Sequence, residues 1–150
     1  MVGKLGKGES NNRNKRDGFI YEMEFFTKAL RHGLEIFLPA GDYLPQDCIV
    51  QNSKGKVFKV QVKGTRNHVD EGLTRKIPRY RLSTGSGKKG KSAINPTEVD
   101  VVAGYVAPID VFYLLPTSSL RGVTTWVYPN DPNTKSILEE YRENWSIFDS

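Results

Sequence analysis

The sequence predicts a mixed α/β domain built on a central sheet, and three stretches of its 150 residues carry that reading. Residues 18–32 have helical periodicity. Residues 45–50 and 57–63 are two arms rich in β-formers around the polar turn 52–56. Residues 99–106 and 111–115 are nearly continuous apolar runs, the pattern of inner strands covered on both faces. The length suits one domain with a single real core.

Residues 1–17, rich in Gly, Lys, Asn and Arg, read as a flexible basic tail ahead of one domain over residues 18–150. The helix is expected over residues 18–32, with Asp17 as N-cap and Gly33 as the C′ residue. Phe19, Met23, Phe26 and Leu30 repeat at +4, +3 and +4 and make its apolar stripe. At about 100° per residue, Glu22 lies at the edge of that stripe and Glu24 faces away from it. A carboxylate at a buried edge needs a partner, whether a basic side chain or a shared site. Residues 35–39 read as a short strand or extended connector, and 40–43 as a turn in which Asp42 satisfies its own backbone.

The hairpin follows. In its second arm Phe58, Val60 and Val62 share one face, while Lys59, Gln61 and Lys63 share the other. A turn centred on Lys54 sets Asp47 opposite Gln61, and cross-strand partners lie within about 5 Å. Asp47, Gln61 and Lys63 then form one polar cluster, although spacing alone favours a solvated sheet face. Cys48 alternates to the opposite face and reads as core.

Charge is unevenly spread. Residues 63–92 hold nine basic and two acidic side chains, whereas 93–150 hold three basic and eight acidic, within a net charge of +5. A basic middle beside the hairpin points to a polyanion bound on one side. Its candidate contacts are Arg66, Arg75, Lys76, Arg79, Tyr80, Arg81, Lys88, Lys89 and Lys91, on an elaboration spanning residues 64–98. Arginines suit base edges and loop lysines suit phosphates. Residues 79–81 are expected at a strand edge with both arginines on one face. Residues 85–92 match the nucleotide-binding pattern G-x-x-x-x-G-K-[ST], but Pro96 would break the helix that such a loop must feed, so no nucleotide cofactor is expected.

Residues 124–128 read as a last strand and 135–144 as a last helix, with Ile137, Leu138, Tyr141 and Trp145 at helical spacing. The single Cys48 excludes an internal disulfide, and neither His32 nor His68 has zinc-ligand spacing. No apolar run is long enough to span a membrane and no secretory signal is evident, so a cytoplasmic location is expected.

Pro45-x-Asp47, thirteen intervening residues, then Gln61-x-Lys63 resembles the two halves of the PD-(D/E)-x-K nuclease motif. The start Gly18-x-x-x-Glu22 resembles the family's helix, in which a Glu precedes the Asp and completes the site. An Asp-bearing strand followed by a Tyr-rich strand ending in Pro, here residues 99–116, is similar to the intron-associated branch. The chain is most similar to group I intron-encoded homing endonucleases of this superfamily, which also resemble it in carrying Gln at the second acidic position. The resemblance implies a restriction-endonuclease-like core with a central mixed sheet flanked by helices. It also implies Glu22, Asp47, Gln61 and Lys63 as catalytic residues of a sequence-specific double-stranded DNA endonuclease. Asp47, Gln61, the Val62 carbonyl and Glu22 would hold Mg²⁺ or another divalent cation. Asp100 and Asp110 are expected to be structural. Because one small site cuts one strand, a homo-oligomer (dimer or tetramer) is implied. Restriction or junction-resolving nucleases, which could carry the same site, are one other reading; a DNA-binding protein that has lost activity is another, because the Gln61 amide oxygen brings no charge to a metal.

Overall fold

The computed structural model describes residues 7–66, 68–69, 79–86, 90 and 92–150, with side chains from residue 12 onward except at 68, 69 and 86. Helix α1 spans Lys7–Arg31, so it begins well before residue 18 and residues 7–17 are helical rather than tail. That stretch is polar all round and carries no periodic signal, yet it contains no proline and propagates from the packed half downstream. Asp17 therefore lies inside α1 and is not its N-cap. The C-terminus is as expected: Gly33 has φ +80°, and the Leu34 N–H returns to the Ala29 carbonyl.

The face that α1 buries differs from the predicted one. Tyr21, Phe25 and Ala29 are in the core, whereas Phe19, Met23 and Leu30 are exposed. Both stripes have helical spacing. The aromatic cluster beneath α1 decides between them, with Phe25 stacked on Trp145 at 5.7 Å and edge-on to Phe112 at 5.6 Å. Gly18 sits within this 25-residue helix, where glycine costs about 1 kcal/mol relative to alanine.

The main sheet comprises β1 (Glu35–Phe37), β2 (Cys48–Gln51), β3 (Val57–Thr65), β8 (Val101–Val106) and β9 (Val111–Pro116), in the order β1-β2-β3-β8-β9. The β2–β3 hairpin pairs Cys48 with Val60 and Gln51 with Val57, so its register continues to Asp47 opposite Gln61, as predicted. Only β3 and β8 are parallel, which makes the sheet mixed. β8 is buried at every position.

Two cores lie on either side of this sheet. On one, α1 and the C-terminal Trp145 and Phe148 pack over Val60, Val62, Ala103 and Phe112. Gly64 is required here, because a Cβ would come within 2.2 Å of the Tyr21 ring. On the other, Tyr80, Leu82 and Val127 pack over Val102, Val106 and Leu115. These come from β5 (Arg79–Ser83) and β10 (Thr124–Val127), which join β4 (His68–Val69) in a second sheet ordered β10-β5-β4. The basic elaboration therefore contributes Tyr80, Leu82 and Ile94 to the second core. β5 is central in that sheet, not an edge.

β6 (Gly85–Ser86) and β7 (Ser92–Ala93) pair antiparallel, so a strand stands where the G-x-x-x-x-G-K-[ST] pattern would need a helix to begin. One further expectation changes. The last helix is replaced by two 3₁₀ turns, Ile137–Tyr141 and Trp145–Phe148. Glu143 explains it, since its N–H donates to the Phe112 carbonyl at 2.7 Å and its carboxylate accepts from the Phe112 N–H at 2.7 Å. Backbone committed to β9 cannot also serve an α-helix. One α-helix thus covers one face of the main sheet and a small sheet covers the other, in place of flanking helices. Among the described residues, no helix is long and apolar enough to cross a membrane.

Candidate active site

β2 begins at Cys48, and the last backbone rung before it runs from the Asp47 N–H to the Val60 carbonyl at 2.8 Å. The next donor on that edge, the Val62 N–H, has no strand to meet. The Asp47 carboxylate takes its place, with Oδ2 accepting from Val62 at 2.7 Å. This bond fixes the carboxylate against β3. The Val62 carbonyl leaves the strand on the same edge as its N–H.

Glu22 reaches the same point from α1, and its carboxyl hydrogen-bonds with that of Asp47. Burial raises the pKa of both. For Glu22 the neighbouring Asp47 charge raises it further. For Asp47 the Val62 N–H and the Lys63 ammonium work the other way. Those two opposing causes act at Asp47 alone, which makes it the better anion of the pair. Cys48, on the opposite face as predicted, is wholly buried, and burial pushes its thiol up to about 12.

Gln61 and Lys63 project from the face of β3 opposite α1. The Gln61 Oε1 is buried and has no hydrogen-bond partner among the described residues. A buried amide oxygen without a donor is costly unless something outside the chain satisfies it. Glu22 and Asp47 supply charge, while Gln61 and Val62 supply neutral oxygens, a donor set that suits a hard divalent cation. Among the described residues there is no cluster of three or more His, Cys, Asp or Glu side chains that could hold a metal. Gln61 stands where a third carboxylate would otherwise be.

Two clefts flank this row. The first, of about 560 Å³, lies between α1 and the β1–β2 connector and contains Glu22, Asp42 and Asp47 among apolar residues such as Phe19, Met23 and Leu38. The second, of about 460 Å³, lies between α1 and the far end of β3, from Asn14, Asp17 and Gly18 across to Lys63 and Arg66.

The other predicted residues are dispersed. Arg66 is paired with Asp17, its Nη1 lying 3.2 and 3.1 Å from the two carboxylate oxygens. Arg79 is nearly buried, its guanidinium 3.7 Å from the centre of the Trp126 ring, and so braces the second sheet. Tyr80 is core at 4% exposure, because alternation along a central strand turns it inward; it is not a surface contact. Arg81 is exposed, paired across the strands with Trp126. Arg75, Lys76, Lys88, Lys89 and Lys91 lie outside the described residues. Asp100 and Asp110 are structural. The first accepts from the Lys59 N–H at 2.8 Å, and the second, in the left-handed region at φ 54°, accepts from Lys28 and the Tyr105 hydroxyl. Sequence reasoning missed Asp17 as a partner of Arg66, since a residue read as a cap was not expected to face β3.

A helical Glu, an Asp at the mouth of a hairpin and a Lys two residues past a ligand-capable side chain, all on a mixed sheet, define a class of nucleic-acid-cutting enzymes. The family model described as PD-(D/E)XK endonuclease matches residues 12–146, and the chain belongs to that family. Its fold is similar to that of a bacterial homing endonuclease, I-Ssp6803I, with a TM-score of 0.73 over 90% of this chain and 93% of that one, at 23% identity. No curated protein matches it.

Proposed function

We propose that this protein is a sequence-specific double-stranded DNA endonuclease of the intron-homing type that hydrolyses phosphodiester bonds with Mg²⁺. The observation that carries the reading is the Asp47 carboxylate seated on the Val62 N–H, with Glu22 bonded to it and Lys63 beside it. Support for the homing type comes from the similar fold of a bacterial homing endonuclease.

Asp47, the Gln61 Oε1 and the Val62 carbonyl hold the cation, with Glu22 as a further ligand. When bound, the cation supplies an acidified water and neutralises charge on the phosphate. Lys63 orients or deprotonates the attacking water and stabilises the charge that develops on the phosphoryl oxygens. The water oxygen bonds to phosphorus as one P–O ester bond breaks, leaving a phosphate monoester and a hydroxyl. A single site cuts one strand, so double-strand cleavage uses a homo-oligomer.

The test is digestion of a complex genomic DNA pool with and without Mg²⁺, comparing wild type with Asp47→Ala and sequencing the new ends. Rare, discrete, Mg²⁺-dependent ends that vanish in the variant are expected. Cutting that survives Asp47→Ala places the active site elsewhere. The uncharged Gln61 favours one other reading, a DNA-binding protein without activity, which retards DNA and yields no ends.

A further inference from the structure

The two clefts beside the carboxylates differ in charge, and the difference separates their roles. The first contains three carboxylates and no basic residue, which suits the cation of the proposed reaction better than a stretch of bare polyanion. The second is lined by Lys63 and Arg66 with a single carboxylate, Asp17; the Lys63 side chain starts on the other face of β3, so Arg66 is the cation turned towards α1. It opens where β3 leaves the catalytic row, and its helical wall is made by Asn14, Asp17, Gly18 and Tyr21, which share one face of α1.

Gly18 is unexplained by the fold. Its neighbour across the cleft, Gly64, has a clear internal reason, since a side chain there would collide with Tyr21. A Cβ at Gly18 meets nothing within 4 Å among the described residues, and Gly18 has no positive φ. Helix propensity alone favours alanine there. Its use is accounted for if something outside the chain comes close to the helix backbone. On the same wall, Asp17 holds the Arg66 guanidinium at the cleft through both carboxylate oxygens.

Building on the nuclease reading, we propose that this cleft is the track for the sugar–phosphate backbone of the strand being cut, immediately beside the scissile phosphate. Gly18 is the point of closest approach. Arg66 is the phosphate ligand, and Asp17 is a positioning residue that aims it.

The test uses the full chain, with a labelled random-sequence 30-bp duplex for binding and the genomic pool with Mg²⁺ for cleavage. Gly18→Ala should melt higher than wild type yet bind the duplex several-fold more weakly, and Gly18→Leu at least tenfold more weakly, with cleavage falling in step. Should Gly18→Leu fail to fold, Gly18→Ala still decides the point. Wild-type binding and cleavage by Gly18→Ala and by any folded Gly18→Leu would overturn the proposal and leave the nuclease reading standing. A wild type that neither binds nor cuts would overturn both. Asp17→Asn makes the protein more positive, so simple electrostatics predicts tighter binding; a positioning role predicts weaker binding with a reduced salt slope, as in Arg66→Ala. Tighter binding would remove Asp17 from the device. A change in sedimentation coefficient on Gly18→Leu with DNA affinity intact would assign the cleft to a second copy of the chain and overturn the proposal.

Discussion

The Glu22–Asp47 contact places two carboxyls in a half-buried position where both resist ionisation. Burial is the first cause, so the folded chain holds the Glu22 proton more tightly than the unfolded chain does. The contribution of Glu22 to stability is then greatest below the ordinary carboxylate range and is lost as pH rises through the raised folded value. Glu22→Gln removes that loss. Without divalent metal, its melting temperature should exceed that of wild type at pH 8, and the gain should disappear near pH ~4, where the ordinary carboxyl is itself becoming protonated. A lower melting temperature at pH 8 would mean that the Glu22 charge is stabilised in the fold. In the proposed reaction Lys63 acts on the chemistry instead. Lys63→Ala should reduce cleavage by about 10²-fold or more, the range of general acid–base effects, while duplex binding in a retardation assay stays within a few-fold. Retained cleavage would remove Lys63 from the mechanism.

At the level of elements, the site depends on how closely α1 lies on β3. Glu22 belongs to the helix, Asp47, Val62 and Lys63 to the hairpin, and Gly64 sets the distance between them. Gly64→Ala puts a methyl into the Tyr21 ring and forces the helix away from the strand. Overpacking of this kind costs about 1–3 kcal/mol. The expected result is a lowered denaturation midpoint together with weakened divalent-cation binding by titration calorimetry, because the same shift parts Glu22 from Asp47. A variant with wild-type stability and metal affinity would show that the Tyr21 ring swings aside without moving α1.

Across the whole molecule, charge and topology act together. The basic elaboration supplies β5, whose Tyr80 and Leu82 close the second core, so the segment that makes the chain basic is also structural. On its outer face Arg81 is exposed. Neutralising Lys88, Lys89 and Lys91 together should weaken duplex binding and flatten its dependence on salt. For every phosphate no longer neutralised, the log–log slope becomes shallower by about 0.9. An unaltered slope measured by fluorescence anisotropy would mean that this loop does not touch DNA.

The hairpin was legible from the chain alone because strand alternation has a period of two, and the turn at 52–56 fixes one register; Asp47 opposite Gln61 followed from it. The buried strands at 101–106 and 111–116 were legible for a similar reason, since runs of apolar residues have nowhere else to go. The sequence determined less about α1. It carries two apolar stripes, each of helical spacing, and only the aromatic cluster of Phe112 and Trp145 decides that Tyr21, Phe25 and Ala29 go inward. The inward turn of Tyr80, the replacement of the last helix by turns bonded to β9 and the pairing of Asp17 with Arg66 were likewise settled by distant partners. Local pattern reports which residues share a face; which face is covered, and by what, depends on contacts that exist only once the chain has closed.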